Sequence, residues 1–219
     1  MITVQHLLDV SHTIAAPLFE GITHPWEVLP GIAAFIWKLG PVLDPALYDN
    51  PREGVWIAKD AEVAPSAYIA SPCVIDLGAE IRHCAFIRGS AVIGKGCVVG
   101  NSTEVKNAVL FDRVQVPHFN YVGDSVLGYR AHMGAGSITS NVKGDHSPVE
   151  VVLEGRRIAT GLKKFGAILG DHAEIGCNAV LNPGVIIGRG SSVYPTVNVR
   201  GVVPANSIVK QAGVVVEKR

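Results

Sequence analysis

The stretch VWIAKDAEVAPSAYIASPCVIDLGAEIRHCAFIRGSAVIGKGCVVGNSTEV, Val55 to Val105, repeats every six residues. Branched aliphatic side chains stand at Ile57, Val63, Ile69, Ile75, Ile81, Ile87, Ile93, Val99 and Val105. Two residues before each lies a second series of mostly small side chains: Val55, Ala61, Ala67, Cys73, Ala79, Ala85, Ala91, Cys97 and Thr103. Each unit therefore offers one large and one small inward slot. A period of six fits neither the 3.6 of an α-helix nor a lone alternating strand, but it fits a short strand and a turn repeated as one side of a β-solenoid.

The pattern returns at Leu169, Ile175, Leu181, Ile187, Val193 and Val199. Between them, from Phe111 to Thr139, the spacing slips to Val116, Val122, Leu127 and Met133. A segment of about 142–166 then obeys no register and is expected to loop out of the coil. Within it, Val149 to Leu153 and Arg156 to Thr160 flank Glu154-Gly155, which predicts a projecting β-hairpin. The reading thus divides the chain into a helical cap and linker over 1–54, a coil over 55–210 with the hairpin inserted, and a tail over 211–219. In the cap, HPWEVLPGIAAFIWKLGP predicts a helix from Pro25, closed by Gly40 and Pro41 and strained by Pro30, with Trp26, Leu29, Ile32, Ala33, Ile36 and Trp37 on one apolar face. Such a face suits closure of the open end of a solenoid.

Composition narrows the partners. Nineteen basic and 19 acidic residues balance, so no general field draws the protein to nucleic acid or an anionic membrane. Charged residues make up 17%, below the roughly 25% of ordinary domains, which favours an oligomer with covered faces. The N-terminus lacks the basic region of a signal peptide and no apolar run approaches the ~20 residues of a membrane span, which predicts a cytoplasmic protein. Four cysteines form no paired motif: Cys73 and Cys97 occupy small inward slots, and Cys84 and Cys177 fall at turns.

Two features of the repeat carry charge where small residues are the rule. After each large aliphatic stands Ala58, Ala64, Ala70, Gly94 or Gly100, yet Arg88 and Lys106 break this habit. They are 18 residues apart, so a coil of three hexapeptides stacks them on one face as a clamp for a phosphate dianion; the alternative is a pair of solvated or interface charges, as for Arg82. His118 follows Pro117 where the register slips, a place for a fixed, partly exposed imidazole. Histidine is the side-chain type whose unperturbed pKa lies nearest neutrality, as a general base requires.

The runs EVKN (Glu104 to Asn107), PHFNYVGDSV (Pro117 to Val126) and GAGSITSN (Gly134 to Asn141) resemble the acetyltransferase half of bifunctional N-acetylglucosamine-1-phosphate uridyltransferase/glucosamine-1-phosphate N-acetyltransferase. Archaeal-type sugar-1-phosphate nucleotidylyltransferases with a trailing acyltransferase coil are more similar still. The likeness covers roughly Val55 to Lys210. It implies an all-β, left-handed parallel β-helix, a homotrimer, acetyl-CoA as acyl donor, an amino-sugar 1-phosphate as acceptor and no metal. By the same resemblance His118 is the catalytic base, Tyr121 contacts the sugar, Asn141 holds the sugar or acyl group, and Arg88 and Lys106 take the phosphate side. His132 falls at a substrate position where the bacterial family has asparagine. Ala135, Cys177, Tyr194 and Pro195 map to or beside positions that meet acetyl-CoA. The N–H groups of Gly134, Ala135 and Gly136 are candidates to polarise the thioester oxygen.

The chain departs from the family in three ways. Nucleotidyltransferase motifs are missing ahead of the coil, so a uridyltransferase, if needed, is expected as a separate chain. Position 132 is histidine. The lysines the family places after the GAG run are not reproduced, and only Lys143 could compensate. Two other classes fit the same repeat: a non-catalytic trimeric scaffold or regulatory subunit for a sugar nucleotidyltransferase, and a γ-carbonic-anhydrase-like hydratase. For the latter, His83 and His118 are nearly two coils apart, but the third ligand position holds Gly123.

Overall fold

The computed structural model describes residues 2–211 and 213–218. Three parallel sheets wind into one coil, the left-handed parallel β-helix that the resemblance implies. The large slots stack in three columns. On the first sheet Ile57 pairs with Ile75, Ile75 with Ile93, and the column continues through Leu110, Leu127, Leu169 and Ile187. Val63, Ile81, Val99 and Val116 form the second column, and Ile69, Ile87, Val105 and Val122 the third. Ile69, Ile75, Ile81, Ile87, Ile93, Ile175 and Ile187 are all buried, each burial contributing about 1.5–3 kcal/mol.

The slip in the register has a local cause. Val105 to Leu110 and Val122 to Leu127 are five residues apart instead of six, because the strands Glu104–Leu110 and Tyr121–Leu127 run straight through the corner between the third and first sheets. One turn residue is lost in each of two coils, and a corner is converted into continuous strand. The next coil then gains residues: Leu127 pairs with Leu169, 42 positions on rather than 18, so 24 are extra. The insertion leaves at Asn141 and returns at Phe165, whose N–H donates to the Asn141 carbonyl at 3.0 Å.

The hairpin forms as expected, Glu150–Leu153 against Arg156–Ala159, with φ +49° at Glu154 and +77° at Gly155. Both turn residues have positive φ, as a two-residue hairpin loop of this hand requires. It does not project, however. Val149 and Val151 are fully buried, and a Cβ on Gly184 would come within 2.7 Å of the Val149 side chain. The alternation of the strand places these valines on one side, and that side lies against the coil.

The N-terminal segment covers a flank of the coil, while the open end has another cover. Its helix is broken as Pro30 foretells, into a 3-10 turn Pro25–Gly31 and an α-helix Ile32–Leu39. Trp26, Leu29, Ile32 and Ile36 are buried, whereas Trp37 is 44% exposed and meets Trp56 edge to face. Trp26 packs on Phe165, Phe19 on Phe111, and Asp171 accepts the Asp9 N–H at 2.8 Å, so the segment runs back along the first sheet from late coils to early ones. The reason is visible in that sheet's outward residues: Val74, Val92, Val109, Val126, Ile168 and Ile186 are aliphatic and fully buried beneath chain segments outside the coil. The edge of the first coil is closed by the strand Tyr48–Arg52, antiparallel to Val55–Ala58. At the other end Val214–Glu217, within the expected tail, pairs antiparallel with Ser207–Gln211; Ala212 and Arg219 of that tail lie outside the described residues.

Candidate active site

The mapped residues separate into two groups on either side of the third sheet. The first is a ridge along the corner between the second and third sheets. A ladder of backbone bonds defines it: Phe119 N–H to Asn101 O at 2.9 Å, Gly136 to His118 at 3.0 Å, Asn178 to Ala135 at 2.8 Å and Thr196 to Cys177 at 2.8 Å. His118, Ala135, Cys177 and Pro195 therefore stand one rung apart, roughly 5 Å each. His118 and Cys177 are exposed and Ala135 half-buried. The ridge turns through positive φ at Ser102, Phe119, Gly136, Asn178 and Thr196. Gly136 has a second constraint, since a Cβ there would meet Asn178 Oδ1 at 2.1 Å.

The second group sits at the corner between the third and first sheets. Its centre is Asp124, buried and missed by the sequence reading. Its carboxylate accepts from Lys106 Nζ at 3.0 Å, Asn107 Nδ2 at 2.9 Å and Asn141 Nδ2 at 2.5 Å. Asn141 also donates to the Tyr121 hydroxyl at 3.1 Å. The Tyr121 ring lies along the sheet over Gly123, where a Cβ would fall 2.5 Å from the hydroxyl oxygen. That is why position 123 holds glycine. Tyr121 thus points away from His118, three residues earlier, and towards Lys106 and Asn141.

Arg88 and Lys106 stack in neighbouring coils as the spacing predicts, since Phe86-Ile87 pairs with Glu104-Val105. Each has a carboxylate partner that the six-residue register did not reveal. Lys106 is tied to buried Asp124, and exposed Arg88 donates to Glu104 at 2.7 Å, a bond that holds the guanidinium in its charged form. The solvated Arg88 pair opens readily to an anion. His132 lies apart from both groups, on the outer side of the second sheet, with Nδ1 2.9 Å from Glu174. Of the three N–H groups proposed to polarise a thioester, Gly134 donates to Ile175 O and Gly136 to His118 O. Among the described residues that of Ala135, one rung above His118, makes no such bond.

Among the described residues no group of three or more His, Cys, Asp or Glu side chains is arranged to hold a metal ion. His83 and His118 lie on the same ridge with Asn101 between them. A cleft of about 460 Å³ lies at the remaining corner, lined by His12, Asp60, Lys95, Asp112 and Tyr129, and takes none of the mapped residues.

Residues 69–160 match the model of the GMPPB C-terminal domain. The chain is 32% identical over 200 residues to a bifunctional sugar-1-phosphate nucleotidylyltransferase/acetyltransferase of Sulfurisphaera tokodaii, covering 87% of this chain and 49% of that protein. The chain is a hexapeptide-repeat coil similar to the matched half of that protein. A bifunctional protein GlmU of Methanococcus maripaludis is 31% identical over 177 residues, covering 80% of this chain and 43% of that protein. The hexapeptide-repeat chain accordingly spans about half the length of the curated relatives it matches. Among solved structures, the acetyltransferase domain of PglB from Neisseria gonorrhoeae in complex with acetyl coenzyme A is 19% identical, with a TM-score of 0.34 over 73% of this chain and 55% of that one.

Proposed function

We propose that the protein transfers an acetyl group from acetyl-CoA to the amine of an amino-sugar 1-phosphate, at sites completed by neighbouring copies in a homotrimer. The observation that carries this reading is the placement of His118 at the foot of the ridge Ala135, Cys177, Pro195, with Lys106, Tyr121 and Asn141 gathered round Asp124 across the third sheet. The ridge offers a track for the extended thioester arm. The cluster offers hydrogen bonds for a sugar, and Arg88 and Lys106 offer charge for its phosphate.

The two groups lie at opposite edges of one sheet, which is the reason for invoking a second copy. His118 is exposed, and an exposed base works poorly unless something excludes water and fixes the acceptor beside it. The first sheet is already covered by the chain's own segments, leaving the second and third sheets for contact between copies. Tyr194 at the ridge and His132 with Glu174 on the second sheet face that contact in the proposed assembly.

In the reaction the neutral amine attacks the thioester carbon while His118 takes the proton. The Ala135 N–H steadies the oxyanion as it forms. Collapse then breaks the carbon–sulfur bond, and the CoA thiolate leaves with a proton returned by the imidazole. No helix among the described residues is long and apolar enough to cross a membrane, and we place the reaction in the cytoplasm. Thiol release from acetyl-CoA, measured with a panel of amino-sugar 1-phosphates, tests the proposal. Release that depends on the acceptor supports it; a protein that binds acetyl-CoA and releases no thiol with these or with any other amino sugar would instead be a scaffold.

A further inference from the structure

In its first coils the third sheet carries an aromatic pair, Tyr68 and Phe86, with a cation, Arg52, beside it, to which the acetyl-transfer reading gives no role. On its outer side Tyr68 pairs in register with Phe86, Phe86 with Glu104, and Glu104 with Tyr121. Tyr68 is 58% and Phe86 40% exposed, an unusual display beside a sheet whose inner side is fully packed. Their rings meet edge to face with centroids 5.7 Å apart. Arg52 lies over the Tyr68 ring at 5.5 Å, and Arg88 over the Phe86 ring at 6.0 Å. Beside Tyr68 is an open hollow of about 240 Å³, lined by Pro51, Arg52, Ile57, Ala67 and Ile69.

The order of groups along this strip matches the order of groups in a longer acceptor. Starting from Tyr121 and Asn141, where the sugar sits in the proposed function, the first cation is Lys106, tied to Asp124, and the next is Arg88, one rung further on. On the Arg88 rung stands the Phe86 ring and one rung beyond it Tyr68, about 10 and 14 Å from Tyr121 at one rung per strand. A sugar 1-phosphate ends at Arg88 and leaves the rings bare. A sugar joined to a nucleoside diphosphate continues along them, with its diphosphate at Arg88 and its base on an aromatic face. Aromatic side chains bind any base by stacking, and guanidinium groups add attraction to both ring and phosphate.

We infer that the acceptor is a nucleoside-diphosphate-linked amino sugar, whose base stacks on the Tyr68–Phe86 pair and whose diphosphate is met by Arg88. This rests on the acetyltransferase reading above and changes only the group attached to the sugar's anomeric phosphate. The Glu104 carboxylate, now hydrogen-bonded to Arg88, must release the guanidinium when the diphosphate arrives.

The test uses the full chain and two readouts. Isothermal titration with UDP should show binding to the wild type, weakened on the order of 10-fold or more by Tyr68→Ala, as the loss of one stacked base predicts. Tyr68→Phe, which keeps the ring, should restore it. In steady state Tyr68→Ala should raise KM for a UDP-linked amino sugar while leaving KM for the matching 1-phosphate alone, because the shorter acceptor does not reach the ring. Unchanged UDP affinity in Tyr68→Ala overturns the inference. So does wild-type protein that acetylates the 1-phosphate but binds no UDP, an outcome that leaves the proposed function standing. Loss of the assembly in Tyr68→Ala by light scattering, with UDP binding absent from the wild type, would make the strip a contact between copies and also overturn it. Failure to acetylate either acceptor would count against the acetyltransferase reading itself.

Discussion

Replacing Asp124 by alanine should both destabilise the coil and loosen the acceptor site. Its carboxylate accepts three hydrogen bonds, from Lys106, Asn107 and Asn141, while its own side chain is only 6% exposed. Removing one partner of a fully buried ion pair costs about 3–5 kcal/mol, chiefly because the other charge is stranded. The Lys106 side chain is 24% exposed, so its ammonium can turn partly to water, which lowers the cost to roughly 2–4 kcal/mol. For a domain of this size that corresponds to a fall in Tm of roughly 5–15 °C. Thermal unfolding followed by circular dichroism, at one fixed protomer concentration because assembly contributes to stability, measures it. Glu104→Gln is the control. It removes the partner of an exposed arginine and should leave Tm nearly where it is. Asp124→Ala should also raise KM for the acceptor, since Asn141 and through it Tyr121 lose their anchor, while KM for acetyl-CoA holds. A Tm within about 1 °C of wild type, or an equal rise in both KM values, would refute the role given to this carboxylate.

The packing leads to three further outcomes. Ile87→Ala, in the middle of the third column and fully buried, should cost about 2–5 kcal/mol by denaturant titration; a loss under about 1 kcal/mol would mean the column is not close-packed. Of the four thiols, exposed Cys84 and Cys177 should react promptly with a disulfide reagent at about pH 8, whereas Cys73 and Cys97 should react only on unfolding. Burial pushes the Cys73 thiol up to about 12 and Cys97 higher still, so at about pH 8 both are protonated and lack the reactive thiolate; acetyl-CoA should shield Cys177 but not Cys84. Light scattering at micromolar concentration should give three times the 23.1 kDa chain mass, and a stable monomer would remove the shared site.

How much of this was legible in the sequence depends on which side of the strand a residue faces. Inward slots were readable because a solenoid repeats its core at a fixed period, and Ile75 or Ile187 could be placed without coordinates. Outward positions carried an equally plain signal that the period does not report. The middle residues of CVI at 73–75, AVI at 91–93, AVL at 108–110 and SVL at 125–127 are all valine, which marks the first sheet as covered on both sides. Reading them would have laid the N-terminal segment and the hairpin on that sheet rather than at the open end or in solvent. The cation pair was legible as a stack, but its carboxylates were not. Asp124 reaches Lys106 only because two corners each lose a residue and bring position 124 into the middle of a continuous strand, and Glu104 reaches Arg88 across the sheet from a position that faces outward. His118, Ala135 and Cys177 were found by likeness to a family motif. Their common ridge arises from coils of 17 and 42 residues, spacings no fixed period would give.

The most direct measurement of the central claim is the rate of thiol release from acetyl-CoA by His118→Ala, across a pH series and beside wild type. With an acceptor that supports wild-type turnover, the variant should lose roughly 10²- to 10⁴-fold in kcat, the usual worth of a general base. It should keep its Tm and its acetyl-CoA affinity, because the His118 side chain is exposed and the ladder bonds at this position are made by its backbone. A His118→Ala protein that turns over at the wild-type rate with the same pH profile would contradict the account.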